Sequence, residues 1–223
     1  MRGWKGGWLA GAAGAALLLS GGCKQLGAIL YFVGGADEQK VKAEYRLPPG
    51  SVLVLVDDDQ GLIQPPAARY ALVDALAREL KAHNLADKVT TNEEIIRLRQ
   101  AEPRFDQRGA REIGRLAEAD TVLLLCTQAF TLEDELEMSS TAGRFAVTVR
   151  VINARAEEPR QVRLWPPELT EREGRLVEAE LPPHELRGVK STQEAHERLA
   201  SALAAKVAEL FYDRTVQREL GAP

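Results

Sequence analysis

The chain has little of what catalysis usually needs. Only two cysteines occur, Cys23 and Cys126, and the three histidines, His83, His184 and His196, each lack a second ligand at metal spacing. There is no glycine-rich phosphate loop, and Ser139 and Ser140 lack the glycine pattern of a nucleophile elbow. A chain without these constellations reads as a non-enzyme with no catalytic residues, no metal site and no cofactor. Basic residues are also scarce, with 29 Lys and Arg against 33 Asp and Glu, and no basic run concentrates them. That balance excludes a nucleic-acid partner.

Nor is there a hydrophobic run of membrane-spanning length. Residues 1–22 instead carry Arg2 and Lys5, a short apolar segment over 8–19, and the small residues Ser20, Gly21 and Gly22. A charged start, a short apolar middle and small residues before a break are the layout of an export signal. Its removal takes two basic residues and leaves a net charge near −6. Cys23 stands where the signal ends. Small residues before a cysteine resemble the lipobox of bacterial lipoproteins, although Ser20 occupies the position usually held by leucine. The resemblance implies cleavage before Cys23, which becomes the lipid-attachment residue carrying palmitate-type acyl chains. Lys24, where lipoproteins kept at the inner membrane have aspartate, implies the outer membrane and its periplasmic face. With Cys23 acylated, Cys126 has no disulfide partner and reads as a small buried hydrophobe within an apolar run.

The layout that follows has four parts: a signal over 1–22, a lipidated tether over 23–50, a folded domain over 51–218 and a short tail over 219–223. Residues 51–56 (SVLVLV) form the first expected strand and end in Asp57, Asp58 and Asp59. The stretch LVLVDDD resembles the start of a receiver domain. The later buried strand, however, ends in Cys126, Thr127 and Gln128 instead of an acceptor aspartate, so the three acids read as a solvated loop. Pro65 and Pro66 open a helix with an apolar face of Tyr70, Val73, Leu76, Ala77 and Leu80, closed by His83 and Asn84. Val89 and Thr90 suit a short strand. Thr91 and Glu94 have capping-box spacing, and Asp106 is placed to cap the next helix.

Residues 109–130 organise the domain. Ala110, Ile113 and Ala117 share a helical face, and Val122 to Leu125 form a continuous apolar run suited to a strand buried on both sides. In residues 144–154, Phe145, Val147, Val149 and Val151 alternate with Ala146, Thr148, Arg150 and Ile152, giving an apolar and a mostly polar face. Residues 161–165 (QVRLW) complete a hairpin. Residues 166–190 are polar and proline-bounded, with a short helix expected over 171–180. Ser191 and Glu194 repeat the capping spacing ahead of a helix that buries Leu199, Leu203, Val207, Leu210 and Phe211. The fold class is therefore α/β, one domain with a mixed sheet of four to five strands and flanking helices.

Two stretches carry a family resemblance. The unit AREIGRLAEADTVLLLCTQAF at 110–130 and the pair FAVTVRVINA and QVRLW at 145–165 are similar to parts of a bacterial envelope lipoprotein superfamily. That superfamily includes the curli-secretion lipoprotein, the outer-membrane lipoprotein activators of peptidoglycan synthases and the amino-terminal domain of the Tol-Pal propeller protein. The resemblance implies a periplasmic accessory protein that binds another envelope protein. Its second reading is a self-assembling, homo-oligomeric subunit of a secretion or envelope-assembly complex. The only insertion placed for pore-forming hairpins, 131–143, is short and acidic, which argues against a transmembrane barrel. The expected partner-binding residues are Glu133, Asp134, Glu135 and Glu137 in that acidic stretch, with His184, Glu185 and Arg187 in the later loop.

Overall fold

The computed structural model describes residues 38–132, 143–167, 170–186 and 189–217. In chain order its elements are β1 (Glu38–Val41), β2 (Ser51–Asp57), α1 (Ala67–Ala82), β3 (Lys88–Val89), α2 (Asn92–Ala101), α3 (Ala110–Leu116), β4 (Thr121–Leu132), β5 (Gly143–Asn153), β6 (Arg163–Trp165), β7 (Arg175–Leu181), α4 (Thr192–Ala208) and β8 (Arg214–Gln217). Single 3-10 turns cover Phe105–Gln107 and Pro159–Gln161. The chain divides into two compact units. One holds residues 42–214; of the other the described residues are 38–41 and 215–217, and β1 pairs with β8 as a two-stranded sheet. No helix among the described residues is long and apolar enough to cross a membrane.

The main unit is a mixed α/β domain built on one six-stranded sheet. Strand β2 lies between β3 and β4, parallel to both, with Val52 opposite Thr121 and Asp57 opposite Cys126. Strand β4 continues antiparallel to β5, whose far side pairs with β7 along Gly143 to Val149 and with β6 near Val151. The sheet has one strand more than four to five because residues 175–181 are a strand and not the expected helix. Val177, Ala179 and Leu181 are buried while Leu176 and Glu180 are exposed, a period of two that only an extended chain presents.

Packing on the two faces follows from the same periodicities. Helices α1 and α4 pack against each other and cover one face. There α4 brings Leu199 against Gly143 and His196 against Phe130. On α1 the buried positions are Ala68, Leu72, Val73, Ala75, Leu76 and Leu80, whereas Tyr70 is exposed. Helix α3 covers part of the opposite face, with Gly114 against Val122 and Ala154. Val122, Leu123, Leu124 and Leu125 are all buried, as their unbroken apolar run requires. In β5 the second face is less polar than expected, because Ala146, Thr148 and Ile152 are buried as well.

Termini of the helices show which local signals operate. Thr91 accepts the Glu94 N–H and Glu94 accepts the Thr91 N–H, a complete capping box. At α4 the box is half formed: Ser191 accepts the Glu194 N–H, but the Glu194 carboxylate takes the N–H of Lys190. Asp106 does not cap α3. It lies in the 3-10 turn and accepts from Arg99, and Gly109 precedes α3 without a side-chain cap. His83 closes α1 as expected and stacks on Tyr212 with ring centroids 3.8 Å apart.

Candidate functional site

The parallel part of the sheet determines where a crevice opens. From β2 the chain crosses by α1 to β3 on one side, and from β3 it returns by α2 and α3 to β4 on the other. Such a reversal leaves a gap outside the carboxyl end of the middle strand, the usual place for a ligand in an open α/β sheet. Here a cleft of about 410 Å³ occupies that position. Leu55, Leu124, Phe105 and Ile113 make its apolar wall, and Asp57, Asp58, Asp59, Asp106, Arg69, Arg99 and Arg108 make its polar lining.

Most of those charges are already matched. The Arg99 Nε lies 3.0 Å from Asp106 Oδ1, and its guanidinium sits 5.1 Å above the Phe105 ring. Arg108 pairs with Glu102 at 2.8 Å and with Glu112 at 3.6 Å. Asp58 folds the loop back on itself by accepting the N–H groups of Leu62 and Ile63, so it is not the solvated acid expected from sequence. What is left is Arg69 on one side and Asp57 with Asp59 on the other. Among the described residues, none of these three has an ion-pair partner within 4.0 Å. The Nε atoms of Arg69 and Arg108 are buried without a hydrogen-bond acceptor.

Burial, reinforced by the neighbouring Asp59, pushes the Asp57 carboxyl above its usual range. On the side of β2 facing β4, Cys126 lies 3.9 Å from Asp57 and accepts from Arg150 Nη2 at 2.9 Å. Burial raises the Cys126 thiol in spite of that arginine, which keeps it protonated near neutrality. His196 is remote from this cleft. It lies between Pro65, Phe130 and Lys190, and burial lowers its imidazole below the ordinary value.

The residues expected to bind a partner divide between described and undescribed stretches. His184 and Glu185 are exposed just beyond β7. Glu185 helps line a groove of about 840 Å³ along α1 and α4, and its carbonyl accepts from Arg198 at 2.8 Å. Cys23, Glu133, Asp134, Glu135, Glu137 and Arg187 lie outside the described residues. Sequence reasoning noticed the acids at the end of β2 but missed Arg69, Arg99 and Arg108. Their signal was topological, because only the crossing of α1 and α2 over the strand end gathers them.

No family model matches the chain, and no curated protein matches it. Solved structures do. A dodecamer of a PelC variant from Paraburkholderia phytofirmans is 15% identical, with a TM-score of 0.44, and the match covers 78% of this chain and 98% of that one. The lipoprotein GNA1162 from Neisseria meningitidis is 12% identical, with a TM-score of 0.38, over 72% of this chain and 99% of its own. The hypothetical protein CT253 from Chlamydia trachomatis is 14% identical, with a TM-score of 0.40, over 72% and 96%. At these levels the likeness assigns no family.

Proposed function

We propose that the protein is an outer-membrane lipoprotein, anchored through Cys23 on the periplasmic side, whose α/β domain acts without catalysis by binding another envelope protein. The observation that carries the reading is the sequence of residues 1–23, a signal layout closing on a cysteine, set a short stretch ahead of a compact unit that begins at residue 42. Fully extended, the residues between them reach about 60 Å at most. That reach holds the domain near the membrane and raises its local concentration there, so a modest interface suffices. Glu133, Asp134, Glu135 and Glu137, with His184, Glu185 and Arg187, supply that interface.

The test begins with the anchor. Expressed in a bacterium that processes lipoproteins, the mature protein is expected to start with an acylated Cys23 by mass spectrometry, and Cys23→Ser is expected to leave the membrane fraction. An unmodified Cys23 in the mature chain overturns the anchor. Chemical cross-linking in intact cells then identifies the partner, and replacing the four acids by lysine should lower its recovery. A second reading, a self-assembling subunit, is favoured by one feature of the sheet. Strand β7 pairs only with β5 among the described residues, and its Leu176 is 57% exposed. Light scattering on the detergent-extracted protein separates the two, since a closed ring of many copies supports assembly.

A further inference from the structure

The cleft at the carboxyl end of β2 holds opposite charges that do not meet. Arg69 lines it from the first turn of α1, and Asp57 and Asp59 line it from the end of β2, yet no nitrogen of Arg69 comes within 4.0 Å of either carboxylate. Opposite charges sharing one small cleft ordinarily close on each other unless the backbone holds them apart. Here each is fixed by its own element: Asp58 pins the loop after β2 through two backbone N–H groups, and Arg69 rides on a helix of four turns whose buried face packs against α4. The other basic side chains of the cleft are held by acids of their own, Arg99 by Asp106 and Arg108 by Glu102 and Glu112, so they do not compete for this gap. Phe105 and Leu124 line the same cleft, and Asp57 and Asp59 lie within hydrogen-bond reach of each other, with Arg150 acting on Asp57 through space. The volume, about 410 Å³, falls within the range of small-molecule sites.

We propose that this cleft binds a small zwitterion, an amino acid or the end of a short peptide, with its carboxylate on Arg69, its ammonium between Asp57 and Asp59, and its aliphatic body on Phe105 and Leu124. A guanidinium offers a carboxylate two parallel donors, and the Nε of Arg69 has no acceptor of its own among the described residues. Two neighbouring carboxylates stabilise an ammonium better than either alone, and a bound cation relieves their mutual repulsion. A purely anionic ligand leaves Asp59 without a cation and Asp57 with Arg150 alone, and a purely cationic one leaves Arg69 without an anion. The proposal does not depend on the lipid anchor or on a protein partner.

Titration calorimetry on the detergent-extracted full chain tests it. The zwitterionic probes are L-norleucine, dialanine and 6-aminohexanoate, which span the separation of the two charges. Hexanoate and pentylamine are the controls, each retaining the aliphatic chain and one charge. At least one zwitterion is expected to bind about tenfold or more tightly than both controls, since each charge-assisted contact is worth that much. Arg69→Gln and Asp57→Asn should each abolish the advantage, and Arg69→Lys, which keeps the charge but not the paired donors, should retain only part of it. Equal binding of zwitterions and controls, no binding of any zwitterion, or an advantage that survives either neutralising variant overturns the proposal.

Discussion

Asp120 joins three parts of the sheet through one carboxylate. Its Oδ2 accepts the Ser51 N–H at 2.9 Å and the Ser51 hydroxyl at 2.8 Å, where β2 begins, and its Oδ1 accepts from Arg155 at 3.2 Å, just past β5. The preceding Gly50 has φ +126°, and a Cβ there would stand 2.6 Å from Asp120 Oδ2, so glycine alone lets the two strands start this close together. The Ser51 N–H above all, then its hydroxyl and Arg155, hold the Asp120 carboxyl below the usual carboxylate range. A depressed carboxyl stabilises the fold fully above its unfolded value, about 3.9, and the contribution disappears as pH falls through the lower folded value. Asp120→Asn keeps an acceptor for Ser51 but removes the charge and the acceptor that faces Arg155. The variant is expected to unfold at lower urea than the parent at pH 7, by a modest margin because the side chain is 46% exposed. Urea midpoints taken down to pH 2.5 should show the two proteins converging.

The contact of α3 with the sheet is the closest helix-to-strand approach among the described glycines. A Cβ at Gly114 would meet Val122 Cγ2 at 2.5 Å and Ala154 Cβ at 2.8 Å, and neither neighbour can swing aside, one being β-branched and the other a single methyl. Alanine gains about 1 kcal/mol in helix propensity, and overpacking costs about 1 to 3 kcal/mol, so Gly114→Ala is expected to lower the melting midpoint. Gly109→Ala, where a Cβ meets nothing within 4 Å, should leave the midpoint near its parent value. Both are read by thermal unfolding. Elements of this kind were legible where periodicity was long: α1, α4, β4 and β5 follow directly from their apolar spacing. Strand β7 was not, because Glu171 to Glu180 is rich in residues that favour helix, and its pairing with β5 outweighs propensity. The cleft was legible only in its acids. Arg69, Arg99 and Arg108 stand on three separate elements, and no local pattern marks side chains that converge through chain crossing.

At the scale of the molecule, the proposed anchor and the folded unit are separable in sequence. Among the described residues, every buried apolar residue of the core lies between Val52 and Phe211, and the partly buried residues packed on it extend to Tyr45 and Tyr212. All of these fall within the compact unit of residues 42–214. Burial of apolar surface is the dominant favourable term in folding, so a chain trimmed to that unit retains what stabilises it. The trimmed protein is therefore expected to melt within about 2 °C of the full chain, equivalent to less than about 1 kcal/mol for a domain of this size. A fall of 10 °C or more in differential scanning calorimetry would mean that residues outside the unit contribute to the core's stability. If the midpoint holds, the trimmed domain should still bind the proposed envelope partner in solution at the intrinsic affinity. On the proposed function, what it loses is the concentration conferred by the membrane, so the same domain should fail to replace the full chain in cells unless it is strongly overproduced.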